Sequence, residues 1–97
     1  MTKPTSLTDG QIQYALQELP GWSIVDGKLH REFKFRGFAE AFAFMTRVAI
    51  EAHALDHHPE WSNVYNRVTI DLVTHVTGNT ITERDVALAK VIDGMTG

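Results

Sequence analysis

The chain contains no cysteine. That excludes a disulfide framework and a thiolate metal site, and it leaves the compartment open. Basic charge is also scarce: 9 Lys and Arg face 12 Asp and Glu, for a net charge of -3. Without a basic footprint, direct binding of nucleic acid is not expected. No apolar run approaches the ~20 residues that span a bilayer, so no membrane partner is expected. Met1-Thr2-Lys3-Pro4-Thr5-Ser6 lacks the apolar stretch of a signal peptide. The expectation is a soluble cytoplasmic protein. Internal repeats, low-complexity segments and domain boundaries are missing too, so residues 1–97 read as one domain with 1–6 as a loose tail. What is present is apolar content, 43% of the residues, enough for a small core. A domain this small has much surface for its volume and often gains stability by oligomerising.

Thr8 with Gln11 has the form of a capping box, and Ile12, Ala15, Leu16 and Leu19 follow at helical spacing until Pro20-Gly21. Trp22 to Asp26 reads as a short strand. Asp26-Gly27 is a two-residue hairpin signal, because both positions tolerate positive φ. Leu29, Phe33 and Phe35 alternate with His30, Glu32 and Lys34, as on a half-buried strand, with Arg31 on the apolar side. After Gly37 a long helix is predicted, its stripe formed by Phe38, Ala41, Phe42, Met45, Val48, Ala49, Ala52 and Leu55. Proline disfavours α conformation in the residue before it, so this helix is predicted to stop at about His58, before Pro59. Asn63 to His75 supplies one or two strands, with His75 at a strand end. Gly78-Asn79 is a turn, and Thr82 with Asp85 forms the N-cap pair of a last helix carrying Leu88, Val91, Ile92 and Met95. The order α-β-β-α-β-β-α predicts an α+β domain: a four-stranded antiparallel sheet with three helices on one face.

The densest chemistry lies in Asp56-His57-His58-Pro59-Glu60-Trp61. Histidine titrates near neutrality without help, at about pH 6.5, and suits proton transfer. Neighbouring helical residues point about 100° apart, so His57 and His58 reach in different directions rather than chelate one ion. Downstream come Asn63-Val64-Tyr65-Asn66, then a strand ending in Thr74-His75, then Ile81-Thr82 and Asp85. This pattern resembles the pterin-4a-carbinolamine dehydratase family, whose animal members also serve as a dimerisation cofactor of a homeodomain transcription factor. The likeness extends to Phe44-Met45-Thr46-Arg47-Val48-Ala49 and to the overall length, covering nearly the whole chain.

The resemblance implies the same α+β layout, sheets joined across a homodimer, and dimers often paired into tetramers. It implies a pterin substrate and a link to an aromatic amino acid hydroxylase. It also implies an active-site trio of His57, His58 and His75, with proton transfer assigned mainly to His57 and His75 and pterin holding to His58. Loss of water from a carbinolamine needs one group to protonate the hydroxyl and another to take the N–H proton. No cofactor or metal is needed for that step, and none is assigned. Further substrate-site candidates are Pro59, shaping the turn; Trp61, against the pterin or packed on the core; Asp56, bonded to an imidazole or capping backbone; and Asp85, in the site or merely a helix-start carboxylate. Asn63, Tyr65 and Asn66 read as framework. His53 stands where relatives often carry glutamate, and with His57 makes an i,i+4 pair of the kind that can bind zinc. The loop from His75 to Thr82 is a residue longer than in some relatives. The alternative to the enzyme is a non-catalytic dimerisation or assembly cofactor that binds another protein.

Overall fold

The computed structural model describes residues 3–96. Its elements are α1 (Asp9–Leu16), β1 (Ser23–Val25), β2 (Lys28–Lys34), α2 (Phe38–Ala54), β3 (Glu60–Val64), β4 (Arg67–Leu72), a 3-10 turn (His75–Thr77) and α3 (Glu83–Gly94). All strand pairs are antiparallel, in the order β1-β2-β4-β3. Each hairpin is local, and β2 pairing with β4 fuses the two into one sheet.

The local signals act as their chemistry dictates. Thr8 and Gln11 close a reciprocal capping box on α1. Asp26 and Gly27 take φ of 52° and 76°, the twist a two-residue hairpin needs. In register, Leu29 faces Leu72, Arg31 faces Ile70 and Phe33 faces Val68. These positions share the face that the helices cover, and Phe44, Val48, Ala52, Leu88 and Ile92 complete the core. Arg31 is tolerated there because its guanidinium lies 4.5 Å over the Phe33 ring and pairs with Asp93 at 2.8 Å. The opposite sheet face carries His30, Asp71, Glu60 and Lys28.

Several expectations need correction. The first helix ends at Leu16, and buried Leu19 sits in the following turn. On α2 the inward stripe is Ala41, Phe44, Val48 and Ala52; Phe38, Phe42 and Leu55 are exposed. Phe44 packs between Phe33 and Phe35, 4.9 Å from each ring centroid. The helix does not reach His58. It ends at Ala54, with Asp56 in the left-handed region at φ 52°. The Asp56 N–H donates to the His53 carbonyl and the His57 N–H to the Ala52 carbonyl, the two bonds of a Schellman stop. Asp56 thus fills the position usually held by glycine. Strand β3 already begins at Glu60, and its Val64 is exposed. His75 is not a strand end but the first residue of the 3-10 turn. Of the expected tail, residues 1 and 2 lie outside the described residues, and just after it the Leu7 N–H donates to the Ile81 carbonyl at 2.9 Å.

Candidate active site

The stop of α2 swings His57 inward, where it is 8% exposed. Its Nε2 donates to Asp85 Oδ1 at 2.6 Å. Asp85 is fully buried in the first turn of α3, and its Oδ2 accepts the Thr82 N–H at 2.9 Å and the Thr74 hydroxyl at 2.8 Å. With the Thr74 proton committed to Asp85, the Thr82 hydroxyl donates to Thr74 at 2.7 Å, and the Arg84 N–H donates to Thr82 at 3.2 Å. Asp85 is therefore both the helix-start carboxylate and the anchor of His57. Among the described residues no buried side-chain nitrogen or oxygen lacks a partner. Among the described residues the His57 side chain bonds only through Nε2, so its Nδ1 is not fully enclosed.

Asp56, His57, His58, Val73, Thr74, His75, Val76 and Arg84 surround one hollow of about 190 Å³. All three predicted histidines border it. His75 is exposed, and its Nε2 donates to Glu60 Oε2 at 2.8 Å. Glu60 also accepts from Lys28 Nζ. That bond, and next the one from His75, hold the Glu60 carboxyl below the usual range, while Glu60 raises the Lys28 ammonium above its ordinary 10.5.

Three predicted residues, Pro59, Trp61 and Asp85, are not on the wall. Trp61 lies opposite Ile70 and packs against the core, and Pro59 immediately precedes β3. Because α2 ends at Ala54, His53 and His57 do not form an i,i+4 face; the His53 ring lies instead 6.2 Å from that of His58. Among the described residues no three His, Cys, Asp or Glu side chains are grouped to hold a metal ion. Arg84 and Glu60 were not singled out from sequence. Arg84 stands beside Asp85 in the chain and Glu60 inside the histidine motif, and those adjacencies were the available signals. A larger concavity lies elsewhere: about 720 Å³ between α1 and α3, lined by Leu7, Tyr14, Ala15, Val86 and Lys90 among others. It has no histidine, so volume and proton-transfer chemistry part company, and the chemistry selects the smaller hollow.

A sequence profile described as pterin 4 alpha carbinolamine dehydratase matches residues 5–95. The chain belongs to the pterin-4-alpha-carbinolamine dehydratase family. Relatives carrying that family's name include one from Solibacter usitatus, 54% identical over 91 residues, covering 94% of this chain and 95% of its own. Another, from Prochlorococcus marinus, is 52% identical over 89 residues, covering 92% of each chain. The crystal structure of a transcriptional coactivator/pterin dehydratase from Brucella melitensis superposes with a TM-score of 0.91 at 44% identity, covering 96% of this chain and all of that one. This dehydratase-family chain is an enzyme of the hydro-lyase kind, and its fold is that of the crystallised neighbour. No helix among its described residues is long and apolar enough to cross a membrane.

Proposed function

We propose that the chain removes water from 4a-hydroxytetrahydropterin to give the quinonoid dihydropterin, in the recycling of a tetrahydropterin used by an aromatic amino acid hydroxylase. The observation that carries this reading is the convergence of His57, His58 and His75 on one small hollow. The family and the names of the relatives supply the substrate class.

The carbinolamine carbon bears a hydroxyl and a ring nitrogen. In the proposed step the C–O bond breaks and the hydroxyl leaves as water, taking a proton from an acid. The N–H proton passes to a base, and the nitrogen pair forms C=N. His57 is suited to the base. A carboxylate that already accepts from Thr74 and Thr82 also accepts a hydrogen bond from His57 Nε2–H, which leaves Nδ1 as the free lone pair. His75, open to solvent and paired with Glu60, is suited to the acid and is reprotonated from water. His58 and the Arg84 guanidinium offer donors that hold the ring's carbonyl edge. Acid–base assistance of this kind gives about 10²–10⁴-fold.

The working unit in this reading is a homodimer or homotetramer. Phe38, Phe42 and Ile50 support it: they recur at helical spacing along α2 and are exposed by 51%, 54% and 63%. The same side would serve a second role as an assembly cofactor for another protein.

The test is decay of the carbinolamine absorbance in a hydroxylase-coupled assay. Wild type accelerates it, and His57→Ala and His75→Ala each lose at least ~100-fold in kcat. A His75→Ala protein as active as wild type overturns the proton-transfer reading.

A further inference from the structure

His57 and His75 are held by opposite means. His57 is pinned by burial and by Asp85. His75 has no such support: it starts a single 3-10 turn, its side chain is 64% exposed, and the segment after it passes through left-handed Gly78 and Asn79. An imidazole so placed samples several rotamers unless something fixes it. Among the described residues its one side-chain hydrogen bond is to Glu60. Glu60 is itself gripped by Lys28, reaching from β2 across the outer sheet face.

We infer that Glu60 is the positioning residue of His75, held in place by Lys28, and does for that histidine what Asp85 does for His57. The inference rests on the dehydratase reading of the hollow. Both histidines bind a carboxylate oxygen through Nε2, at 2.6 and 2.8 Å, which leaves Nδ1 of each for the substrate. Lys28 has a definite task. Glu60 sits directly across from Asp71 on β4, and two carboxylates opposed in a sheet repel. Asp71 is paired with His30 Nδ1 at 2.8 Å, and the Lys28 ammonium bonds Glu60 while attracted to both acids. The charged groups facing Glu60 are thus Lys28, His75 and Asp71, with His30 behind Asp71. The Lys28 bond occupies Oε1 of Glu60 and leaves Oε2 for His75.

The test is a kinetic double-mutant cycle on the full chain, with thermal unfolding as a check of folding. Glu60→Ala is expected to lower kcat about 10-fold, with KM within about twofold because the ring-holding residues are untouched. Glu60→Gln, which keeps a carbonyl acceptor at the same reach, is expected to retain more activity than Glu60→Ala. Lys28→Met is expected to lose less than Glu60→Ala. In a His75→Ala background, Glu60→Ala is expected to cause no further loss, since its effect runs through that imidazole. Equal losses from Glu60→Ala with and without His75 overturn the positioning role. So does a fully active Glu60→Ala beside an impaired His75→Ala, and in that case the dehydratase reading stands. An unimpaired His75→Ala removes that reading instead.

Discussion

Replacing Asp85 with asparagine separates the chemistry of His57 from its packing. The side chain is fully buried and keeps its shape, so no cavity forms. The Thr82 N–H can only donate, so the asparagine carbonyl must stay on the side of Oδ2. The amide NH₂ then faces His57 Nε2, 2.6 Å away in the wild type. Two donors cannot share that contact, so the neutral imidazole must shift its proton to Nδ1 and accept at Nε2. The free lone pair at Nδ1 is gone. Kinetically, the variant forfeits the base's share of catalysis, at least ~100-fold in kcat, or about 2.7 kcal/mol of barrier. Structurally, charge-assisted bonds become neutral ones, for about 1–2 kcal/mol, which lowers Tm by about 4–16 °C in a domain this size. Asp85→Ala would be less informative, because it leaves up to three buried donors to find new acceptors, each costing about 1–3 kcal/mol, against a total stability of about 5–15 kcal/mol. The assays are hydroxylase-coupled carbinolamine decay and thermal unfolding on the same preparation. A folded Asp85→Asn protein within a few-fold of wild-type kcat refutes the tautomer argument.

Phe44→Ala empties the space between Phe33 and Phe35 and is expected to cost about 3–5 kcal/mol, read as a large fall in the denaturant midpoint; Phe44 is 1% exposed. The Lys28–Glu60 pair should show a pH signature at both ends. The Glu60 carboxyl is lowered on folding, so its contribution is present above the ordinary carboxylate range and disappears as pH falls through the lowered value. The Lys28 ammonium is raised, so its contribution is complete below 10.5 and disappears as pH rises through the raised value. The Tm difference between wild type and Glu60→Gln is therefore expected to close on acidification; a difference constant down to about pH 3 contradicts it. Finally, Phe42→Asp with Ile50→Asp is expected to shift the native mass by light scattering toward a smaller species, and an unchanged mass excludes that side of α2 as the contact between copies.

The parts legible in the sequence were those with local causes. The Thr8–Gln11 and Thr82–Asp85 caps and the Asp26-Gly27 turn each follow from groups within three residues of one another. The element order led to the fold, the family pattern implied the same layout, and the crystallised neighbour shares it. The end of α2 was misplaced because Pro59 vetoes helix only at its neighbour. Asp56 ends it sooner by entering the left-handed region, which aspartate tolerates and does not announce. Phe44 and Phe42 were exchanged because a helix apolar on most sides does not declare which side the sheet covers. The histidine trio was named from the motif, and the structure brings its members to one hollow. Their carboxylate partners were harder to see. Asp85 lies 28 residues from His57, and the Glu60 bond to His75 depends on how β3 is set beside β4. Trp61 was left between pterin and core; register sets it opposite Ile70, where it packs half-buried against the core.

The most direct test of the whole account is where a dihydropterin binds. In a crystal soaked with the oxidised product analogue, density for the bicyclic ring is predicted in the hollow bordered by His57, His58, His75 and Arg84, with Nδ1 of His57 and His75 on the side of the reacting carbon. Density in the larger groove between α1 and α3, with the three imidazoles untouched, would contradict it.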